Sequence, residues 1–184
     1  MQTITSKCIE AYSTHKNLKL AANDVGIPWQ TVYVHLRRAN VPVVGDKLKY
    51  GSETDKLAAK AERHFLSLVP DAEDQNTRQF QSKVDFMVNG LSVDVKASRL
   101  HGAGAGKSLR WAFSVKKQEF CADFFVCFAY AREGDEVEAA LLIPGEIARK
   151  HTTISLPRIG GRWRDYLIDQ ADLRQFFIEL KQAA

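Results

Sequence analysis

The segment KVDFMVNGLSVDVKAS, residues 83 to 98, leaves the chain little choice of local fold. Asn89-Gly90 is the strongest two-residue signal for a tight β-hairpin, because a type I′ turn needs positive φ at both central positions. A two-residue loop then sets the register. Val88 faces Leu91, Met87 faces Ser92, Phe86 faces Val93, and Asp85 falls directly opposite Asp94. Alternation assigns Val84, Phe86, Val88, Leu91, Val93 and Val95 to a core face, and Lys83, Asp85, Asp94 and Lys96 to the other.

Like charges directly opposite on one face are destabilising, and a close carboxylate pair drives one member to hold its proton unless positive charge sits between them. Two arrangements relieve the repulsion. In one, Lys83 and Lys96 neutralise both acids on a solvated polar face. In the other, a hard divalent cation such as magnesium lies between the carboxylates, taking them as oxygen ligands beside substrate phosphate and water. Lys96, two residues beyond Asp94 on the same face, would then position an attacking water or offset charge growing on a phosphate. Hairpin geometry alone leaves both arrangements open.

A resemblance favours the second. Asp85, eight residues, then Asp94-Val95-Lys96 resembles the PD-(D/E)xK nuclease superfamily, which includes many restriction endonucleases and Holliday-junction resolvases. The resemblance implies an α/β fold, a restriction-endonuclease-like mixed sheet flanked by helices, and magnesium as cofactor with manganese able to substitute. It implies metal ligation by Asp85, Asp94 and the backbone carbonyl of Val95, with Lys96 assisting catalysis. In that family a helical glutamate often precedes the pair. SETDKLAAKAERHFLSLV carries a capping signal from Ser52 to Asp55 and apolar residues at Leu57, Ala61, Phe65 and Leu68, which predicts a helix over 53–69. Glu62 lies at the edge of its apolar stripe. The family's pattern would make it a third metal ligand; otherwise it is a solvated helix residue. Pro70-Asp71 spells the family's first two letters, but it stands in a polar, turn-like stretch, so Asp71 is only the fallback for Asp85.

The order downstream fits the same core. SLRWAFSV (108–115) alternates like a strand, KKQEFCA reads as a short helix, and DFFVCFAYA and VEAALLI read as buried strands. Lysine and glutamine after the third strand often meet DNA or the attacking water in relatives, which points to Lys116 for DNA and Gln118 for catalysis. HGAGAGKS (101–108) is close to a phosphate-binding loop but has His101 where the first glycine belongs, and a strand follows it. It reads better as a glycine loop whose Lys107, with Arg99 and Arg110, touches a DNA backbone. TISLPRIGGRWRDYLID offers Arg158, Arg162 and Arg164 with Trp163 and Tyr166, a composition shared by nucleic-acid-binding loops and by ordinary loops packed on a core. The closing helix, from about Asp172, presents Leu173, Phe176, Phe177 and Leu180 on one stripe.

The front of the chain is basic: residues 1–50 hold seven Lys/Arg against three acids, while the remainder holds 19 of each sign. LKLAANDVGIPWQTVYVHLRRANVP reads as helix, tight turn at Gly26, and helix opening at Pro28. Residues 3–40 resemble the helix-turn-helix family, with Ala21 and Ala22 at the helix crossing and Val32 and Leu36 facing inward. The outer face of the second helix carries Trp29, Gln30, Thr31, Tyr33, His35, Arg37 and Arg38. Gln30 and Tyr33 are candidates for base contacts, Arg37 and Arg38 for phosphates, and Trp29 and Thr31 complete the DNA-binding set. A plain three-helix bundle would show the same small-residue crossing and polar exterior.

The expected organisation is therefore a helix-turn-helix domain over 1–44 and a nuclease domain over 45–184, acting together as a magnesium-dependent endonuclease on double-stranded DNA. Because one site cuts one strand, breaking a duplex implies a homodimer, with a nicking monomer as the alternative. A structure-selective resolvase and a non-catalytic DNA-binding regulator on the same scaffold are the competing functions. Three cysteines without CxxC spacing, no stretch resembling a signal peptide, and an apolar run too short for a membrane span suit a soluble cytoplasmic protein.

Overall fold

The computed structural model describes residues 2–43, 49, 51–76, 82–103, 109–115 and 122–183. By their contacts the residues divide into two units, Met1–Lys56 with Asp74–Lys83, and Leu57–Glu73 with Val84–Ala184.

The first unit is built on three helices, α1 (Ile4–His15), α2 (Leu18–Val25) and α3 (Trp29–Arg38). Short polar signals delimit them. Thr3 Oγ1 accepts from the Ser6 N–H at 3.2 Å at the start of α1, and Asn17 Oδ1 accepts from the Lys19 and Leu20 N–H groups at 3.0 and 3.1 Å at the start of α2. These are side-chain caps for the donors that a helix start leaves unpaired. Gly26 ends α2 in the left-handed region, φ 74°, which a glycine takes without strain. Cys8, Ala11, Tyr12, Ala21, Ala22, Val32 and Leu36 form the core of this unit. The two alanines let the helices approach closely. Among the described residues of this unit, His35 is tied to α1 by a 2.9 Å hydrogen bond between its Nδ1 and Thr5 Oγ1, which gives it a structural role.

Helix α4 (Glu53–Leu68) opens with a reciprocal cap: the Asp55 N–H donates to Ser52 Oγ at 3.2 Å, and the Ser52 N–H donates to Asp55 Oδ2 at 3.0 Å. A six-stranded mixed sheet follows, in the order β1 (Glu73–Asp74), β2 (Phe86–Val88), β3 (Leu91–Arg99), β5 (Phe124–Tyr130), β6 (Val137–Pro144), β8 (Leu167–Ile168). Strand β4 (Arg110–Ser114) lies outside it, paired antiparallel with β7 (Thr153–Pro157) in a second, two-stranded sheet.

SLRWAFSV is a strand, as its alternation predicts, and the slot beside β3 belongs to β5, which runs parallel to it from Val93↔Phe124 to Arg99↔Tyr130. A parallel strand in mid-sheet is covered on both faces and needs side chains that tolerate burial on both. FFVCFAY supplies them, and six of its seven residues are buried. RWAFS buries only Trp111 and Phe113, one face, and so caps the layer instead.

Two cores result, one on each face of the sheet. Ala61 and Phe65 of α4, and Leu173 and Phe177 of helix α6 (Leu173–Ala183), pack with Phe86, Val88, Val93, Val95, Val126 and Phe128. On the other face Trp111, Phe113, Ile154, Leu156 and Trp163 pack with Phe125, Cys127, Leu141 and Ile143, together with Ala148 of the short helix α5 (Gly145–Ala148). Burying a phenylalanine such as Phe65 completely is worth about 2–3 kcal/mol.

Candidate active site

The hairpin closes in the expected register: Phe86 pairs with Val93, Met87 with Ser92 and Val88 with Leu91. Asn89 and Gly90 both have positive φ, 53° and 88°. Ladder pairing ends at Phe86. Asp85 therefore lies one residue outside the strand, and its Oδ2 accepts the Val95 N–H at 2.8 Å, where a partner strand would otherwise offer a carbonyl. Val84 also departs from the alternation. Beyond the end of the ladder the pleat no longer dictates direction, and Val84 packs with the second core rather than the first.

Asp85 and Asp94 do meet. Burial first, and then a hydrogen bond and repulsion from Asp85, raise the Asp94 carboxyl from its ordinary 3.8 to about 7, against the opposing pull of Lys96. Lys96 Nζ sits 2.7 Å from Asp94 Oδ2, with the lysine 29% and the aspartate 20% exposed, so most of this contact is shielded from solvent. The arrangement differs from both simple cases considered for the hairpin. The acids face each other, and the side-chain cation serves Asp94 while Asp85 takes a backbone N–H. Lys83 is exposed.

The oxygen-rich donor set suits a hard divalent cation. In an extended strand the N–H and C=O of one residue point to the same side, so the Val95 carbonyl faces the side from which Asp85 approaches. Two carboxylates and that carbonyl are the groups this chain brings together. Among the described residues no three His, Cys, Asp or Glu side chains gather as a metal-holding group; Glu62 is half-buried on α4. Asp71, the fallback for the first acid, is instead bound by Arg174, whose Nε and a terminal nitrogen both lie 2.9 Å from its Oδ2.

Next to the pair lies a polar lock that no sequence motif announces. Asp123 Oδ2 accepts from the Ser92 N–H at 2.7 Å and from Ser92 Oγ at 2.8 Å, and the Asp123 N–H donates back to Ser92 Oγ at 2.9 Å. It staples the start of β5 to β3 two residues before Asp94. An aspartate just ahead of a greasy strand was the available signal. Deeper in the sheet, Cys127 stands beside Lys96 in the β3–β5 register, and burial pushes its thiol well up, which makes it an inert core residue.

The remaining candidates are spread out. Lys107, Lys116 and Gln118 lie outside the described residues. Arg99 holds the turn after β5, donating to the carbonyls of Gly134 at 2.5 Å and Ala131 at 3.3 Å. In the first unit, Trp29, Gln30, Thr31, Arg37 and Arg38 are exposed on α3 and Tyr33 is half-buried, its hydroxyl accepting from Arg37 at 3.4 Å. No helix among the described residues is long and apolar enough to cross a membrane.

No family model and no curated protein matches the sequence. Among solved structures, a bacterial homing endonuclease, I-Ssp6803I, matches with a TM-score of 0.52 at 16% identity, over 72% of this chain and 99% of that one. At that identity the likeness is one of fold: this chain is similar to that bacterial homing endonuclease in its mixed α/β architecture.

Proposed function

We propose that the protein is a magnesium-dependent DNA endonuclease, with Asp85, Asp94, the Val95 carbonyl and Lys96 as its active site and α3 as a DNA-gripping surface. The observation that carries the reading is the Asp85–Asp94 contact with Lys96 at 2.7 Å, a carboxylate pair of the PD-(D/E)xK kind on a fold like that of a homing endonuclease.

Each residue has work suited to its setting. Asp85 is aimed by the Val95 N–H, so its carboxylate does not need to be reoriented when a ligand arrives. Ionised, Asp94 would be the second oxygen donor; burial and then Asp85 hold its carboxyl up at about 7, and a cation between the acids would favour the ionised form. Lys96, tethered by Asp94, holds an ammonium where negative charge grows on an attacked phosphate, and its exposed fraction leaves room for an approaching water. A bound magnesium supplies Lewis acidity at the scissile phosphate and a water of lowered pKa.

The test is a supercoiled plasmid incubated with the protein, with and without magnesium. Wild type nicks or linearises it only with the metal, manganese substitutes, and Asp94→Ala does neither. Equal inertness of wild type and Asp94→Ala removes the enzyme reading. Linear product from a single encounter supports the homodimer, and nicked product alone supports a monomer.

The front module carries its own prediction. Arg37→Ala with Arg38→Ala weakens duplex binding and flattens the salt dependence by about 2 in log–log slope, because each phosphate that a cation neutralises accounts for about 0.9 of that slope. An unchanged slope in a filter-binding or anisotropy titration means that DNA is held elsewhere. Preferential cutting of four-way junctions over linear duplex would select the resolvase reading instead.

A further inference from the structure

A loop that the proposed site does not use projects from the end of the small sheet. Strand β7 ends at Pro157, and Arg158-Ile159-Gly160-Gly161 leads into a 3-10 turn over Arg162–Tyr166. The loop is anchored, because Trp163 is only 4% exposed and packs in the second core. It is also shaped. Gly160 and Gly161 have φ of 71° and 95°, and a Cβ on Gly161 would lie 2.9 Å from Pro157 Cδ.

The loop presents cations around an apolar tip. Arg158, Arg162 and Arg164 are exposed, and Ile159 is 60% exposed. Arg158 is paired with Glu138 at 3.2 Å, whereas Arg162 and Arg164 form no ion pair with a carboxylate among the described residues. Both are held in place within the loop: the Arg162 guanidinium lies 5.0 Å from the Trp163 ring centroid, and Arg164 Nη1 donates to the Arg158 carbonyl at 3.0 Å. Exposed Arg110 stands beside them, since it pairs with Pro157 across the β4–β7 ladder.

The loop also lies on the same side of the main sheet as the acid pair. Neighbouring residues in register share a face. Asp94 is level with Phe125 and Lys96 with Cys127, and both partners belong to the second core, as Trp163 does.

We propose that the Arg158–Arg164 loop is a DNA-contact element of the nuclease unit, with Arg162 and Arg164 on backbone phosphates and Ile159 against sugar or base edges of a duplex held at the acid pair. The partner follows from charge and shape. Duplex DNA carries one negative charge per about 1.7 Å along its axis, which paired arginines on a rigid loop neutralise, and apolar tips flanked by arginines suit a groove edge. The assignment rests on the endonuclease reading above.

The experiment measures binding of the full chain to a short duplex in EDTA from about 50 to 200 mM salt, beside plasmid cleavage in magnesium. Arg162→Ala with Arg164→Ala is expected to bind about tenfold more weakly at the middle of that range and to have a log–log slope shallower by about 2. Arg162→Lys with Arg164→Lys keeps the slope, and Ile159→Ala weakens binding without changing the slope, because an apolar contact releases no counterions. An unchanged slope in the double alanine variant overturns the proposal, as does a loss shared equally by the lysine variant. If wild type neither binds nor cuts duplex, the endonuclease reading falls and takes the loop with it. If wild type does both while the alanine variant matches its slope, the loop assignment falls alone.

Discussion

Asp94→Asn is expected to abolish magnesium-dependent cleavage, by about a thousandfold, and at the same time to raise the melting temperature of the metal-free protein above pH 7. The two effects have one cause. Asparagine is nearly isosteric with the protonated carboxyl, and its amide can donate to Asp85 as the protonated acid does. In the native protein burial and Asp85 raise the Asp94 carboxyl from 3.8 to about 7, so the fold retains a proton that the unfolded chain releases. The stability from that proton is fully present below about pH 4 and is lost as the pH climbs through about 7. A shift of that size corresponds to at most about 4 kcal/mol, on the order of 10 °C in melting temperature for a chain of this length. Thermal melts in EDTA should therefore find wild type and Asp94→Asn alike near pH 4 and the variant higher at pH 8. Magnesium at pH 8 should raise wild type and leave the variant unchanged. A variant that melts below wild type at pH 8 would mean that the two acids do not repel, and the metal-site argument would lose its basis.

Gly145→Ala is expected to cost about 3 kcal/mol or more of stability and most of the cleavage activity. Gly145 turns the chain from β6 into α5, and its N–H donates to the Asp123 carbonyl at 2.7 Å. A Cβ there would fall 1.9 Å from the Ala122 carbonyl oxygen, 3.0 Å from its carbon and 3.2 Å from the Asp123 oxygen. All three are backbone atoms, so no side chain can swing away to make room. The strand start that must move carries Asp123, whose side chain holds Ser92 two residues before Asp94. The neighbouring Glu146 is exposed, and Glu146→Ala should change stability by less than about 0.5 kcal/mol. Chemical denaturation of the three proteins side by side decides the matter. Equal midpoints for Gly145→Ala and Glu146→Ala would show that the backbone approach is not tight.

Local chemistry accounts for what could be read in advance. The hairpin register followed from two residues with positive φ, the start of α4 from a serine and an aspartate three apart, and the crossing of α1–α3 from an alanine pair and a turn glycine. Each of these signals acts over a few residues of chain, and so each is written directly in the order of side chains. The same reach put Lys96 beside Asp94, while Asp85 reaches the Asp94 carboxyl from just beyond the end of the ladder.

The sequence leaves off where a choice depends on residues distant in the chain. Periodicity made RWAFS a strand without saying which sheet would receive it; β5, apolar on both sides, took the parallel slot because burial on two faces is a property of the assembled layers. Val84 turned to the second core because the ladder ended one step earlier than alternation assumes. Asp71, the discounted alternative to Asp85, met Arg174, more than a hundred residues away. That one acid of a close pair holds its proton was legible in the hairpin, but the largest cause of the rise to about 7 is desolvation, which only the assembled sheet supplies. Sequence determined which side chains share a strand, a turn or a helix face, because those relations are set by backbone geometry within a few residues. Only the folded chain decided which of them are buried, paired or charged, because those properties depend on neighbours that loop closure brings from far along the sequence.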